Sequence, residues 1–257
     1  MLGLLVALIV AALLVGGSLS LMRRLPQAEN RIGTAEYIDE VRRAMFTQLF
    51  VYGSLPPADT DADGLPNAPS QPSPALADTT EGTLPFITFG VKPRDAWDRV
   101  VKYEVHPGLV STRPTLEQRK KDSCLSLKAG LTGAPQVWDG GAVFTVAAVL
   151  VSGGPRDADG DGSVFDAVAG KGSNAMGTPY LRHVLYPDDG EPTFDDLTAF
   201  ILPGVLTNPM TLLGWLKAKD TRFDWSNTCE YPHCHNAFTD WGETGLNCGG
   251  PDCDPCP

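Results

Sequence analysis

An α+β fold is predicted for this 257-residue chain. A long N-terminal helix, first hydrophobic and then amphipathic, packs on an antiparallel β-sheet head, and a small disulfide-rich extension closes the chain. Three observations predict this. An uncharged apolar run from Met1 to Met22 leads into residues with helical spacing. Alternating, β-branched segments bounded by turn residues recur through the middle of the chain. Five of the six cysteines follow Thr228. The hydrophobic content of 42% is enough for a packed core, and the 27 glycines and 22 prolines point to many turns rather than a helical bundle. The net charge of -11 argues against nucleic acid, whose phosphates demand a basic face, and suits a surface that binds cations.

Residues 1–26 form the hydrophobic segment, and about 20 apolar residues span a bilayer as a helix. The first charges, Arg23 and Arg24, stand on its distal side. Taken alone they would hold the rest of the chain in the cytoplasm. The cysteine-dense tail demands an oxidising compartment instead. The two agree if a short basic leader once preceded Met1 and was removed. In residues 27–53 apolar side chains recur at helical spacing through Ile32, Ile38, Val41, Met45 and Leu49, with Gly53 as the stop. Pro26 is expected to kink or locally melt the helix between the two halves.

Residues 54–83 read as a long Pro- and Asp-rich loop. "LPFITFGVKPRDAWDRVVKYEV" reads as two short strands around a turn at "KPRDAW", and "GAVFTVAAVLVSGG" as one strand long enough to lie mid-sheet. "TFDDLTAFILPGVLTNPMTLLGWLKA" holds a short strand or helix and then a helix near Met210–Lys217.

"LGLLVALIVAALLVGG" resembles the N-terminal stretch of type IV pilin-like proteins after leader removal. An Asp-rich turn at Leu55–Gly64, "TLPFITFGVKPRDAWDRVVKYEV" at Thr83–Val105, a strand ending in "SGG" at Val143–Gly154 and "FDDL" at Phe194–Leu197 follow in that family's order. The resemblance covers about residues 1–217, with residues 54–226 as the head. It implies a subunit held in the inner membrane before the pilus assembly machinery packs it into a helical homo-oligomer. A methylated N-terminus, an extracellular or cell-surface location and a role in cell adhesion are further implications. Pilins usually carry Glu at mature position five; here that residue is Leu5, and Pro56 replaces the cysteine of the "LPCP"-like stretch. The missing Glu keeps a second reading open, a minor pseudopilin of a type II secretion-like system. A reading from another class is a membrane-anchored surface binding protein.

"DTDADG" (Asp59, Asp61, Asp63) and "DADGDG" (Asp157, Asp159, Asp161) share the spacing D-x-D-x-D-G. Alternate carboxylates in a tight loop can converge on one hard cation, and an oxygen-only donor set favours structural Ca²⁺ over zinc or copper. Neither loop has the bidentate Glu of an EF-hand: Ser70 and Val168 stand there. Asp166 is a further candidate ligand for the second loop. A third acidic stretch, "PDDGEPTFDD", reads as solvated or helix-capping.

Residues 227–257 form the Cys-rich tail. "CHNAFTDWGETGLNCGGPDCDPC" resembles a small module of secreted and surface proteins, through Cys234, Asn236, Asp240, Glu243, Thr244, Gly245, Cys248, Gly249, Gly250, Cys253 and Cys256. The resemblance implies two disulfides inside the module, which leaves Cys124 and Cys229 to pair. Zinc held by these cysteines with His233 and His235, and a haem attachment at "CEYPHCH", are the competing readings. No nucleophile elbow, zincin, Walker or dinucleotide motif is present, so no enzyme is expected. His106 and His183 stand isolated, and Phe223, Trp225, Tyr231 and Trp241 are expected to pack against the disulfides.

Overall fold

The computed structural model describes residues 2–67, 80–138, 141–168, 171–175, 177, 179–182, 194–204 and 211–257, with side chains from residue 27 onward. Helix α1 runs from Leu2 to Tyr52, 51 residues, or about 75 Å at 1.5 Å per residue. It passes Pro26 without a break, where a kink or melted turn was expected. A single Pro removes only one hydrogen bond of the ladder, and the turns on either side keep theirs. The side chains of the expected membrane or filament-core segment, residues 1–26, lie outside the described residues. Among the described residues no helix is long and apolar enough to cross a membrane.

The second half of α1 buries one stripe: Thr34, Tyr37, Ile38, Val41, Met45 and Leu49. Their three- and four-residue spacing stacks them on one face. Ile32 was expected in that stripe but is 61% exposed, because at about 100° per residue it stands on the opposite face of the helix from Thr34 and Val41. The Gly53 N–H closes the helix on the Leu49 carbonyl at 3.0 Å, with Gly53 at φ 75°.

The stripe packs against a four-stranded antiparallel sheet and the helices beside it. The strands are β1 (Glu81–Thr83), β2 (Lys102–Val105), β5 (Ala148–Ser152) and β9 (Leu197–Ile201), in that spatial order. Helix α3 (Leu116–Lys128) and helix α4 (Leu212–Lys219) complete this layer, each N-capped by a threonine hydroxyl, Thr115 and Thr211. On α4, Trp215 stacks on Phe46 of α1 with ring centroids 5.3 Å apart. Strand β5 is buried throughout, and its alternation divides two cores. Ala148 and Leu150 face the α1 stripe, while Val149 and Val151 face Val137, Val146 and Tyr180. That second layer is a small sheet of β3 (Gln136–Trp138), β4 (Val143–Thr145) and β8 (Tyr180–Leu181), in the order β4-β3-β8. A two-stranded ribbon, β6 (Ala167–Val168) with β7 (Gly172–Ser173), adjoins it.

Two expected strands are built differently. Residues Phe86–Phe89 form a one-turn helix, α2, instead of a strand. Gly90 stops it in the left-handed region at φ 68°, and Phe89 turns inward onto the Tyr103 ring at 5.9 Å. The single long strand expected in "GAVFTVAAVLVSGG" is two strands, β4 and β5, in different sheets. The chain changes partner at Val146 and Ala147, whose N–H groups donate to Pro135 and Ile201 respectively. The tail expected as a separate module shares the main core: Cys229, Tyr231, Cys234 and Cys253 join the cluster that holds the α1 stripe.

His106, expected to be an ordinary isolated histidine, is buried where β2 meets the next turn. Its Nδ1 accepts from the Gly108 N–H at 3.0 Å, and its Nε2 stands 3.0 Å from the Thr132 carbonyl. Only the neutral ring with the proton on Nε2 satisfies both. Burial accordingly lowers its pKa from the ordinary 6.5. A depressed histidine binds fewer protons folded than unfolded, so its contribution is complete above about pH 6.5 and is lost as pH falls. Thermal melts between about pH 8 and 5 should show a steeper loss of Tm for the wild type than for His106→Gln, which keeps a donor and an acceptor but does not titrate.

Candidate cation centre and stapled tail

The second D-x-D-x-D-G loop lies between β5 and β6, and Asp166 stands at the entry to β6. Backbone amides shape the loop. Asp157 accepts from Gly160 (2.6 Å) and Gly162 (2.8 Å), and Asp159 accepts from Asp161 (3.2 Å) and Ala167 (2.7 Å). The Gly162 amide, the largest cause, holds the Asp157 carboxyl below its usual range. This folding brings carboxylate oxygens of Asp157, Asp159 and Asp166 within 4.8 Å of one another. Asp161, expected as a ligand, is not in that set and accepts from the Ser163 amide at 2.7 Å.

Asp166 also belongs to a second set. Its carboxylate lies within the same 4.8 Å of Asp195 and Asp196, and all three residues are buried. The "FDD" carboxylates, read from sequence as solvated or helix-capping, are therefore inside the protein. Asp188, Asp189 and Glu191 of that stretch lie outside the described residues. Phe194 is 1% exposed and drags its neighbours inward, and the chain then enters β9. Asp196 is fully buried; its Oδ2 accepts from the Asp166 N–H (2.8 Å) and from the Asn174 amide (2.9 Å). Its Oδ1 is buried with no hydrogen-bond partner among the described residues. Burial first, and then the Asp166 charge, pushes the Asp196 pKa up to about 8. Burial likewise raises Asp166.

The two sets share Asp166, whose Oδ1 accepts from the loop at Ala158 and whose Oδ2 accepts from Asp195, and Arg156 pairs with Asp195 at 2.9 Å. At an effective dielectric of about 20, repulsion between the Asp166 and Asp196 charges is on the order of 3 kcal/mol. A hard cation placed there would relieve that repulsion and could use the orphaned Oδ1. The donors are all oxygens, as Ca²⁺ prefers. Gly154 permits the approach: at φ 55°, a Cβ there would lie 2.3 Å from Asp195 Oδ1.

The first loop has the same local form. Asp59, Asp61 and Asp63 also bring one oxygen each within 4.8 Å, with Asp59 buried and the other two exposed. Both oxygens of Asp59 accept backbone amides, from Asp61, Ala62 and Gly64 at 3.2, 2.7 and 2.7 Å, as both oxygens of Asp157, Asp159 and Asp166 do in the second loop. Gly64, at φ 88°, lies flat under the Phe86 ring, where a Cβ would come within 2.4 Å. The loop is thereby clamped to α2, and Asp59 pairs with Thr83 through two backbone hydrogen bonds.

All six cysteines are bonded, as Cys124–Cys229, Cys234–Cys253 and Cys248–Cys256. The Cys124–Cys229 bridge and two bridges inside the tail match the expectation. Without a free thiol, the zinc and haem readings of these cysteines lose their ligands. Phe223, Trp225 and Tyr231 pack together, with Phe223 centroids 4.7 and 5.0 Å from the other two. Trp241 instead is 61% exposed, as are Leu246 at 61% and Phe238 at 69%. The tail is also tied to the start of α3, where Thr115 donates to Asp254 at 3.0 Å and the Asp254 N–H to Glu117 at 3.2 Å.

Cys124–Cys229 spans 105 residues and Cys248–Cys256 only 8. Loop-closure entropy assigns them about 4.8 and about 2.5 kcal/mol. In chemical denaturation, the double variant Cys124→Ser/Cys229→Ser should therefore lose roughly twice the stability of Cys248→Ser/Cys256→Ser. Comparison with protein-family models, curated proteins and solved structures finds no match.

Proposed function

We propose that the chain is a structural subunit of an extracellular, type IV pilus-like filament that polymerises through its N-terminal helix. The observation that carries this is the single 51-residue helix, whose second half is built into the head while its first half is uncharged in sequence as far as Met22. A helix half with no polar face is stable only in lipid or against other apolar helices. Disulfides and structural Ca²⁺ in the carboxylate sets that share Asp166, with Asp157 and Asp159 on one side and Asp195 and Asp196 on the other, harden the head outside the cell, where weak, millimolar-range affinity suffices. The solvent-facing Phe238, Trp241 and Leu246 favour a second reading, a membrane-anchored binding protein that recognises partners with its tail.

Electron microscopy of sheared cell-surface material, with mass spectrometry of the N-terminal peptide, separates the two. Filaments containing this chain and starting at methylated Met1 support the first reading. A chain confined to membranes with a longer, unmethylated N-terminus sinks it. For the cation, melts with Ca²⁺ and with chelator are the check. At a Ca²⁺ concentration about 100 times Kd the wild type should gain about 2.7 kcal/mol. Asp196→Asn should lose most of that gain and Asp161→Asn should keep it.

A further inference from the structure

Lys120 on α3 and Asp220 just after α4 are 100 residues apart in sequence, yet Lys120 Nζ lies 2.5 Å from Asp220 Oδ2. Both side chains are only 4% exposed. The ammonium sits among three rings, with centroids 5.1 Å away at Tyr231, 5.5 Å at Phe50 and 5.7 Å at Phe223. Two N–H groups point at the carboxyl: Trp225 Nε1 reaches Oδ2 at 3.3 Å and the Phe223 amide reaches Oδ1 at 3.4 Å. Since a C–O bond is about 1.2 Å, Nζ stands no more than about 3.7 Å from Cγ, close to the near-attack range of about 3–3.5 Å.

An ion pair so enclosed has lost its hydration, and the Coulomb attraction regained inside a protein often fails to offset that loss. Burial lowers the Lys120 pKa, against the opposing pull of Asp220 and of Asp252. Asp252 is itself occupied by Arg222 at 3.1 Å and flanked by His233 at 3.6 Å. Burial thus works against the charged ammonium, and it is the neutral amine that can attack a carboxyl carbon.

We propose that Lys120 and Asp220 join through an intramolecular amide bond, a covalent crosslink between α3 and the segment that follows α4. A proton passes from Nζ to Oδ2 within the pair. The Nζ lone pair then attacks Cγ and forms the C–N bond, while the charge developing on Oδ1 faces the Phe223 amide. Oδ2 leaves as water, taking its own proton and a second one from Nζ. Ammonium plus carboxylate becomes amide plus water, with no oxidant, reductant or co-reactant. Enforced proximity supplies the drive, since oriented groups reach effective molarities of about 10⁵–10⁸ M. The bond duplicates Cys124–Cys229, one turn along α3 and nine residues past Asp220, in a form that reductants do not cleave. The inference is independent of the filament reading.

Intact-mass spectrometry of the denatured full-length chain tests it. The expected mass is one water below that of the sequence with three disulfides, and tryptic digestion should yield a branched peptide that joins Lys120 to Asp220. Asp220→Asn, which can condense by releasing ammonia, should be one ammonia short. Lys120→Arg should carry its full mass. A wild-type mass with no missing water overturns the proposal. So does a missing water that persists in Lys120→Arg, which would locate it in a succinimide at one of the Asp-Gly steps.

Discussion

The head is organised around one burial event, the seating of the α1 stripe from Thr34 to Leu49. Tyr37, Ile38, Val41, Met45 and Leu49 occupy a single buried cluster with β2, β5, β9, α3 and α4. Removing any of these large side chains would leave a cavity in a close-packed interior. Because β5 is covered on both faces, the same stripe also sets the position of the second layer behind the sheet. The candidate cation centre depends on it in turn. Asp195 and Asp196 are held by β9, Asp166 by β6, and Asn174 after β7 ties the two through Asp196.

Polar groups follow from the same geometry. Lys102, on β2, points into the second layer, where it meets Glu81 at 2.7 Å and the carbonyls of Asn174 and Ala175 at 3.1 and 2.9 Å. Glu104, two residues on, takes the Tyr180 hydroxyl at 2.6 Å. Burial raises the Glu104 pKa against that hydrogen bond. Lys102 and Glu104 thus have partners, as burial requires; Asp196 Oδ1 has none among the described residues, and that is why it reads as a ligand atom.

The C-terminal tail shows how a polar, cysteine-rich stretch is fastened to such a core. Bridging Cys124 to Cys229 brings the tail's first residues under α3, and Tyr231 and Cys234 complete the hydrophobic cluster. Lys120, one turn from Cys124, then finds Asp220 inside an aromatic enclosure made by α1, the α4 exit and the tail together. Phe238, Trp241 and Leu246 stay outside because the two bridges within the tail close loops too small to bury them.

Local patterns in the sequence were sufficient for the long helix, its buried stripe, its glycine stop, the alternating strands and the acidic turns, because each is encoded by residues close together in the chain. The same holds for the loop carboxylates Asp157, Asp159 and Asp166, which lie within ten residues of one another and come together. Tertiary structure alone decided the rest. Whether "FITF" coils depended on the Tyr103 ring it meets, and where "VFTVAAVLV" changes sheet depended on Pro135 and Ile201. Asp161 turns away because the Ser163 amide takes its carboxylate, while Asp195 and Asp196 enter because Phe194 and β9 carry them into the interior. Lys120 and Asp220 stand a hundred residues apart, and no periodicity or spacing relates them. Their meeting, like the burial that gives Asp196 its chemistry, exists only after distant segments have excluded water between them.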